Sequence, residues 1–290
     1  MPSIVLIDSS ISMLRPASKP CEKNPENTPD SISDGFQLMD LAKWGIDVIL
    51  GHIEKVYKLE HIAVLSYGCQ CDLICPFTRD ISEVRAKITT IDGSDLTNII
   101  SGLKGMLNYV QESWGNSTNV NVIVVTDGGI GHGKRSLKNL LENKYLLERE
   151  IPLPLVFSGT LNFVLVNHAE DISDVVPLFD KLIQATGVPG QVYVPNDNQP
   201  GATLTRSSVE KCFQSIIDTH FKPYVGKLML GDEFNTNITL CPPPTKYKKV
   251  KEFETVQAEI EETIDIKGFL TLADVASPPV VSIYLEYKQD

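Results

Sequence analysis

The chain lacks any uninterrupted apolar run near the ~20 residues that a bilayer-crossing helix needs. Its first residues, MPSIVLIDSS, lack a basic segment followed by a long apolar one, so no secretory leader is read and an intracellular protein is expected. Cysteine is sparse: six in 290 residues exclude a disulfide framework, and a reducing compartment would keep them as thiols. Only Cys69, Cys71 and Cys75 lie close together, with His61 the sole histidine nearby. A structural zinc site wants four ligands in paired short spacings, so the trio reads as small buried or half-buried thiols. Positive charge is also short, with 26 Lys and Arg against 37 Asp and Glu, a formal net charge of −11. That balance opposes a free-standing nucleic-acid binder, whose affinity comes largely from neutralising phosphates. The one basic run, KYKKVK at 246–251, reads as a solvated loop after CPPP. Catalytic constellations are missing too. His52, His61, His132, His168 and His220 are scattered, none in a nucleophile-elbow or metal-hydrolase pattern, so no enzyme is expected.

What is present is a strand–helix alternation. SIVLI at 3–7 is a continuous apolar run, as in a strand buried on both faces of a parallel sheet. A polar loop, Pro16 to Asp34, follows, and apolar residues then recur at helical spacing from Phe36 to Val56. HIAVLSYG and CDLICPF read as adjacent strands joined near Gly68; two helices, the strand VNVIVVTD and a helix after Lys134 come next. TLNFVLVN is a strand, DISDVVPLFDKLIQATG a helix stopped by Gly187, GQVYVPN a short strand, and SSVEKCFQSIIDTHF a closing helix capped by Ser207 or Ser208. The expected fold is therefore α/β, a doubly wound, mostly parallel sheet over residues 1–220. Helical patterning then gives way to alternation. Residues 221–290 are expected to form an incomplete all-β domain, opening with a hairpin that turns around Asp232 and Glu233.

The loop VVTDGGIGHGKRS, 124–136, reads as a phosphate loop, as part of a metal site, or as a plain glycine-rich turn before a helix. Gly128, Gly133 and Lys134 fit most of a phosphate-binding loop, in which backbone N–H groups converge on phosphate and the residue after the lysine offers a hydroxyl to Mg²⁺. Here that residue is Arg135, Ser136 is one position late, and Asp127 at the strand end would repel phosphate. A metal reading accommodates Asp127. Asp8, Ser10 and Ser12 at the end of the first strand alternate, so an extended backbone aims all three one way. Thr97 is expected to occupy the start of a helix, in GSDLTNII. Two carboxylates and three hydroxyls are hard oxygen donors suited to Mg²⁺ or Mn²⁺, with a coordination position left for an incoming carboxylate. The opposing reading gives Asp8, Ser10 and Ser12 turn and capping roles.

Asp8, Ser10, Ser12, Thr97 and Asp127 resemble the metal-ion-dependent adhesion site of von Willebrand factor A domains, D-x-S-x-S, an isolated Thr, and T-D-G. The segments SMLRP, YKLE, CPFTRD, VQESWG, VTDGGIG, GQVY and GFLTLADVASPPVVS are similar, further, to a family of Integrator-complex subunits. That resemblance implies a von Willebrand A domain followed by a Ku-like β-barrel and a helical region. It also implies a nuclear, non-catalytic scaffold that pairs with Integrator subunit 13 and associates with subunit 10. The assembled module would help engage RNA or DNA during small nuclear RNA 3′-end processing and RNA polymerase II attenuation. The chain departs from the family in the length of its Pro16–Asp34 loop, and it stops at Asp290, inside the expected barrel.

Overall fold

The computed structural model describes residues 2–17, 36–56, 60–93, 96–115, 119–195 and 204–221, with Arg135 and Ala169 described by backbone alone. Of the remainder it describes the backbone of five strands between 224 and 289. The chain divides into two compact units, the first of Met1–Lys55 and Glu60–His220, the second of Val56–Leu59 and Phe221–Asp290.

The first unit is built on a six-stranded sheet. β1 (Ser3–Asp8) lies at its middle, parallel to β2 (Ile62–Tyr67) on one side and to β4 (Asn119–Thr126) on the other. β3 (Cys71–Thr78) adds an antiparallel edge, while β5 (Ser158–Leu165) and the two-residue β6 (Val192–Tyr193) extend the other side, giving the order β3-β2-β1-β4-β5-β6. Every residue of β1 and β2 is buried, as an apolar run in a sheet covered on both faces requires. The chain leaves β1 toward β2 and later returns to its other flank as β4. The strand order therefore reverses between β1 and β4, and a crevice opens outside their carboxyl ends.

Helices cover both faces. Ile4 and Leu6 of β1 join one core cluster with Leu103 and Met106 of α3 (Ile99–Trp114) and Phe179 and Leu182 of α7 (Val176–Thr186). Outside that cluster α1 (Leu38–Val56) packs on α8 (Arg206–His220), where the Phe213 ring lies against Gly45. Between α1 and α3, α2 (Ile81–Thr89) starts at Asp80, whose Oδ1 accepts from the Ser82 and Glu83 amides.

Several expectations need correction. The helix after Lys134 is two: α4 (Leu137–Glu142) and α5 (Lys144–Glu150) meet at Asn143, whose side chain caps the second by accepting from the Leu146 amide. Asn is a good cap and an indifferent interior residue, so an apolar period continuing past it conceals the break. Likewise α6 (Ala169–Ile172) is separate from α7, while Gly187 does stop α7 in the left-handed region at φ 71°. Thr205, rather than Ser207 or Ser208, opens α8. The Ser208 amide donates to Thr205 Oγ1, and Thr205 N–H donates back to Ser208 Oγ, a reciprocal capping box. Thr97 precedes its helix, which Asn98 caps.

In the second unit β7 (Tyr224–Phe234) is the centre of an antiparallel sheet ordered β11-β7-β9, with β9 at Tyr247–Val256 and β11 at Val281–Gln289. β8 (Ile238–Leu240) pairs with β10 (Gly268–Leu270). The expected hairpin around Asp232 and Glu233 is not formed: both lie within β7, at a register irregularity between the Ile283–Leu230 and Val281–Phe234 pairs. The basic run is not a loop either. Residues 247–251 belong to β9, an edge strand in this sheet, where lysines commonly discourage further strand pairing. Lys246, CPPP and most of the Pro16–Asp34 loop lie outside the described residues.

Two glycines of α1 test this packing. A Cβ on Gly45 would collide with the Phe213 ring, whereas one on Gly51 meets only Arg85 Nη2 at 3.7 Å. Gly45→Ala is expected to cost about 2 kcal/mol or more through overpacking, and Gly51→Ala to gain up to about 1 kcal/mol through helix propensity. Urea unfolding of both variants checks this. Equal effects would contradict the placement of α8 on α1.

Candidate metal centre

The carboxyl ends of β1 and β4 put two carboxylates in the crevice. Asp8 is fully buried and Asp127 nearly so. Asp8 Oδ1 accepts from the Ser10 amide at 2.9 Å, the local contact that turns the chain after β1. Its Oδ2 accepts from Thr126 Oγ1 at 2.6 Å and from the Tyr67 hydroxyl at 3.3 Å. Ser10 Oγ and Ser12 Oγ lie 2.9 Å apart in a shared hydrogen bond. Asp127 Oδ1 accepts from the Gly129 amide at 2.9 Å, and its carbonyl from Asn167 Nδ2 at 3.0 Å. A Cβ built on Gly129 would stand 2.8 Å from Thr97 Oγ1 and 3.1 Å from Asp127 Oδ1. Glycine here lets the two oxygen-bearing side chains approach one loop.

Arg15 joins the two halves. Its Nε donates to the Ser12 carbonyl at 3.1 Å and its Nη2 to Asp127 Oδ2 at 2.8 Å. The five residues singled out in the sequence thus come to one end of the sheet: Asp8, Ser10 and Ser12 in direct contact, Thr97 and Asp127 either side of Gly129, and the groups linked by Arg15 and Thr126. Sequence reasoning passed over Arg15, Thr126, Tyr67 and Asn167. Thr126 was readable, since it immediately precedes Asp127. Tyr67 had no local signal; it is brought in by the register that pairs it with Asp8.

Burial pushes the Asp8 carboxyl up to about 6, the Asp127 charge adds to the rise, and the bonds from Ser10 and Thr126 oppose it. Burial, with the Asp8 charge, also holds the Tyr67 phenol protonated well above its usual range. Two carboxylates this deep need positive charge. The donor set fits a hard dication: carboxylates and hydroxyls, without sulfur or imidazole. Asp8, Ser10, Ser12, Thr97 and Asp127 are the residues that would hold Mg²⁺ or Mn²⁺.

The phosphate reading fares worse. The amides of Gly128 and Gly129 donate to Thr126 Oγ1 and Asp127 Oδ1, and those of Ser136 and Leu137 to the carbonyls of Gly133 and Ile130. Lys134 is exposed in a 3-10 turn ahead of α4. A phosphate would find these donors already engaged. Nor do the cysteines form a zinc site: among the described residues no three His, Cys, Asp or Glu side chains could share a metal, and burial pushes Cys71 up to about 12, against reactivity.

Comparison with known proteins places both units. Residues 3–130 match the von Willebrand factor type A domain model, and residues 221–287 the model described as Integrator complex subunit 14, beta-barrel domain. Integrator complex subunit 14 from Xenopus tropicalis is 30% identical over 289 residues, which cover 98% of this chain and 52% of that protein. Its Homo sapiens counterpart is 29% identical at the same coverage. A variant of the PilB minor pilin from Streptococcus sanguinis superposes with a TM-score of 0.54 at 12% identity, over 75% of this chain and 60% of that one, a likeness of fold alone. The chain spans about half the length of the curated relatives it matches. It has a von Willebrand factor A fold followed by a β-barrel domain, and it resembles the N-terminal portion of Integrator complex subunit 14.

The buried Asp8 carboxylate gives a pH-dependent test. A carboxyl whose value is raised on folding makes its favourable contribution at low pH and loses it as pH rises through about 6. A rise of about two units corresponds to about 3 kcal/mol at neutral pH, an upper figure because local structure relaxes. In EDTA, Asp8→Asn is expected to be more stable than the parent at pH 7.5 by about 1–3 kcal/mol, with no such advantage at pH 4. Denaturant melts at both values check this, and a less stable variant at pH 7.5 would refute it.

Proposed function

We propose that the chain acts as a non-catalytic scaffold within the nuclear Integrator complex. In this reading it pairs with Integrator subunit 13 and associates with subunit 10 in a Ku-like module. The module helps engage nucleic acid during small nuclear RNA 3′-end processing and RNA polymerase II attenuation. The observation that carries the reading is the order of the two matched domains: a match to the von Willebrand factor type A domain over residues 3–130, then one to the β-barrel domain of Integrator complex subunit 14 over residues 221–287. The similarity runs through both along 98% of the chain.

A second reading draws on the candidate metal centre. Asp8, Ser10, Ser12, Thr97 and Asp127 would hold Mg²⁺ or Mn²⁺, and the ion would supply a Lewis-acidic position for a partner's carboxylate. The exposed Ile11, between Ser10 and Ser12, and Leu96, next to Thr97, would give that partner an apolar surface beside the ion. The two readings part on metal dependence: a scaffold keeps its partner without the cation, and an adhesion module loses it.

Co-purification with subunits 13 and 10, with and without EDTA, separates them. Retention of subunit 13 in EDTA and by Asp8→Ala is expected. Loss under both conditions would favour the adhesion module, and no association in either buffer would remove the scaffold reading. For nucleic acid, the net charge of −11 predicts weak binding by the chain alone. A gel-shift titration showing tight binding at physiological salt would contradict this.

A further inference from the structure

Arg15 pairs with one member of the acidic pair, and it is held there at more than one point. The guanidinium is held at two points, Nε on the Ser12 carbonyl at 3.1 Å and Nη2 on Asp127 Oδ2 at 2.8 Å. Its carboxylate partner is almost wholly buried, at 1% side-chain exposure, while Arg15 itself is 52% exposed. One end of the ion pair is fixed in the protein and the other reaches in from solvent. The same fork ties the Ser10–Ser12 turn to the end of β4.

We propose that Arg15 is a charge-substituting latch: it occupies Asp127 in competition with a divalent cation, and cation entry drives it outward. The proposal rests on the reading of Asp8, Ser10, Ser12, Thr97 and Asp127 as a cation site. A dication and a guanidinium cannot share Asp127 cheaply, because like charges repel strongly where water is largely excluded. The half-exposed side chain has solvent to move into. Cation affinity is thereby lowered, and each binding event releases a planar, two-pronged donor at the rim of the site, suited to a carboxylate. Lysine would keep the charge and lose the second prong, so charge and fork are separable.

The test is Mn²⁺ titration of the whole chain, read by the electron paramagnetic resonance of free Mn²⁺. It is paired with thermal melts in EDTA and in Mg²⁺. Arg15→Gln is expected to bind Mn²⁺ on the order of tenfold more tightly than the parent, with Arg15→Lys between them. Arg79→Gln, which removes the same formal charge at an exposed position on another loop, is expected to leave affinity unchanged. In the melts, Arg15→Gln should lose stability in EDTA and gain more from Mg²⁺ than the parent does. Equal or weaker Mn²⁺ binding by Arg15→Gln overturns the latch and leaves the cation site standing. Equal tightening by Arg79→Gln overturns it as a mere net-charge effect. No Mn²⁺ binding by any of the chains removes both the latch and the site beneath it.

Discussion

Two buried carboxylates facing one crevice set the terms for everything at the top of the first unit. Asp8 and Asp127 come from strands that are neighbours in the sheet and 118 residues apart between Asp8 and Thr126, whose hydroxyl binds Asp8. Neither carboxylate is tolerable alone in this setting, where an unpaired ion loses its hydration without recompense. The local architecture answers that cost: amides from Ser10 and Gly129, hydroxyls from Thr126 and Tyr67, and the Arg15 guanidinium all point inward. Loops that carry so many converging donors cannot drift independently. The sheet order places the carboxylates, and their charge organises the loops around them.

Much of the first unit was legible in the sequence because burial writes plainly there. β1, β2, β4 and β5 are apolar runs, and the amphipathic helices repeat at 3.6 residues. What misled was punctuation. Asn143 caps a new helix in mid-pattern, and Thr205 does the capping that the adjacent serines seemed placed to do. In the second unit, alternation identified strands and failed to pair them. A hairpin is the cheapest guess for consecutive strands, yet β7 pairs with β9 and β11 through long connections, and no local feature announces that.

The five oxygen-bearing residues were readable as a set because their spacing and position at strand ends are unusual together. Their supports were not. Arg15 lies three residues past Ser12 and looks like an ordinary loop arginine until the fold brings Asp127 to it. Tyr67 is a strand-end aromatic whose hydroxyl direction depends on register. Asn167 steadies Asp127 through a carbonyl, a contact without any residue-type signature. Groups that bind a ligand share a chemistry that can be recognised in one dimension; groups that position them share only a location.

The imidazole of His168 fastens this region from below. Because the Leu204 amide donates to Nδ1 at 3.4 Å, Nε2 carries the proton and donates to the Ala17 carbonyl at 2.9 Å. One ring therefore splints the segment leaving the Ser10–Arg15 turn to the entry of the last helix of the unit, 187 positions along the chain from Ala17 to Leu204. The segment after the turn and the approach to that helix are thus held to one rigid plane by two hydrogen bonds, although nothing in their sequences places them together.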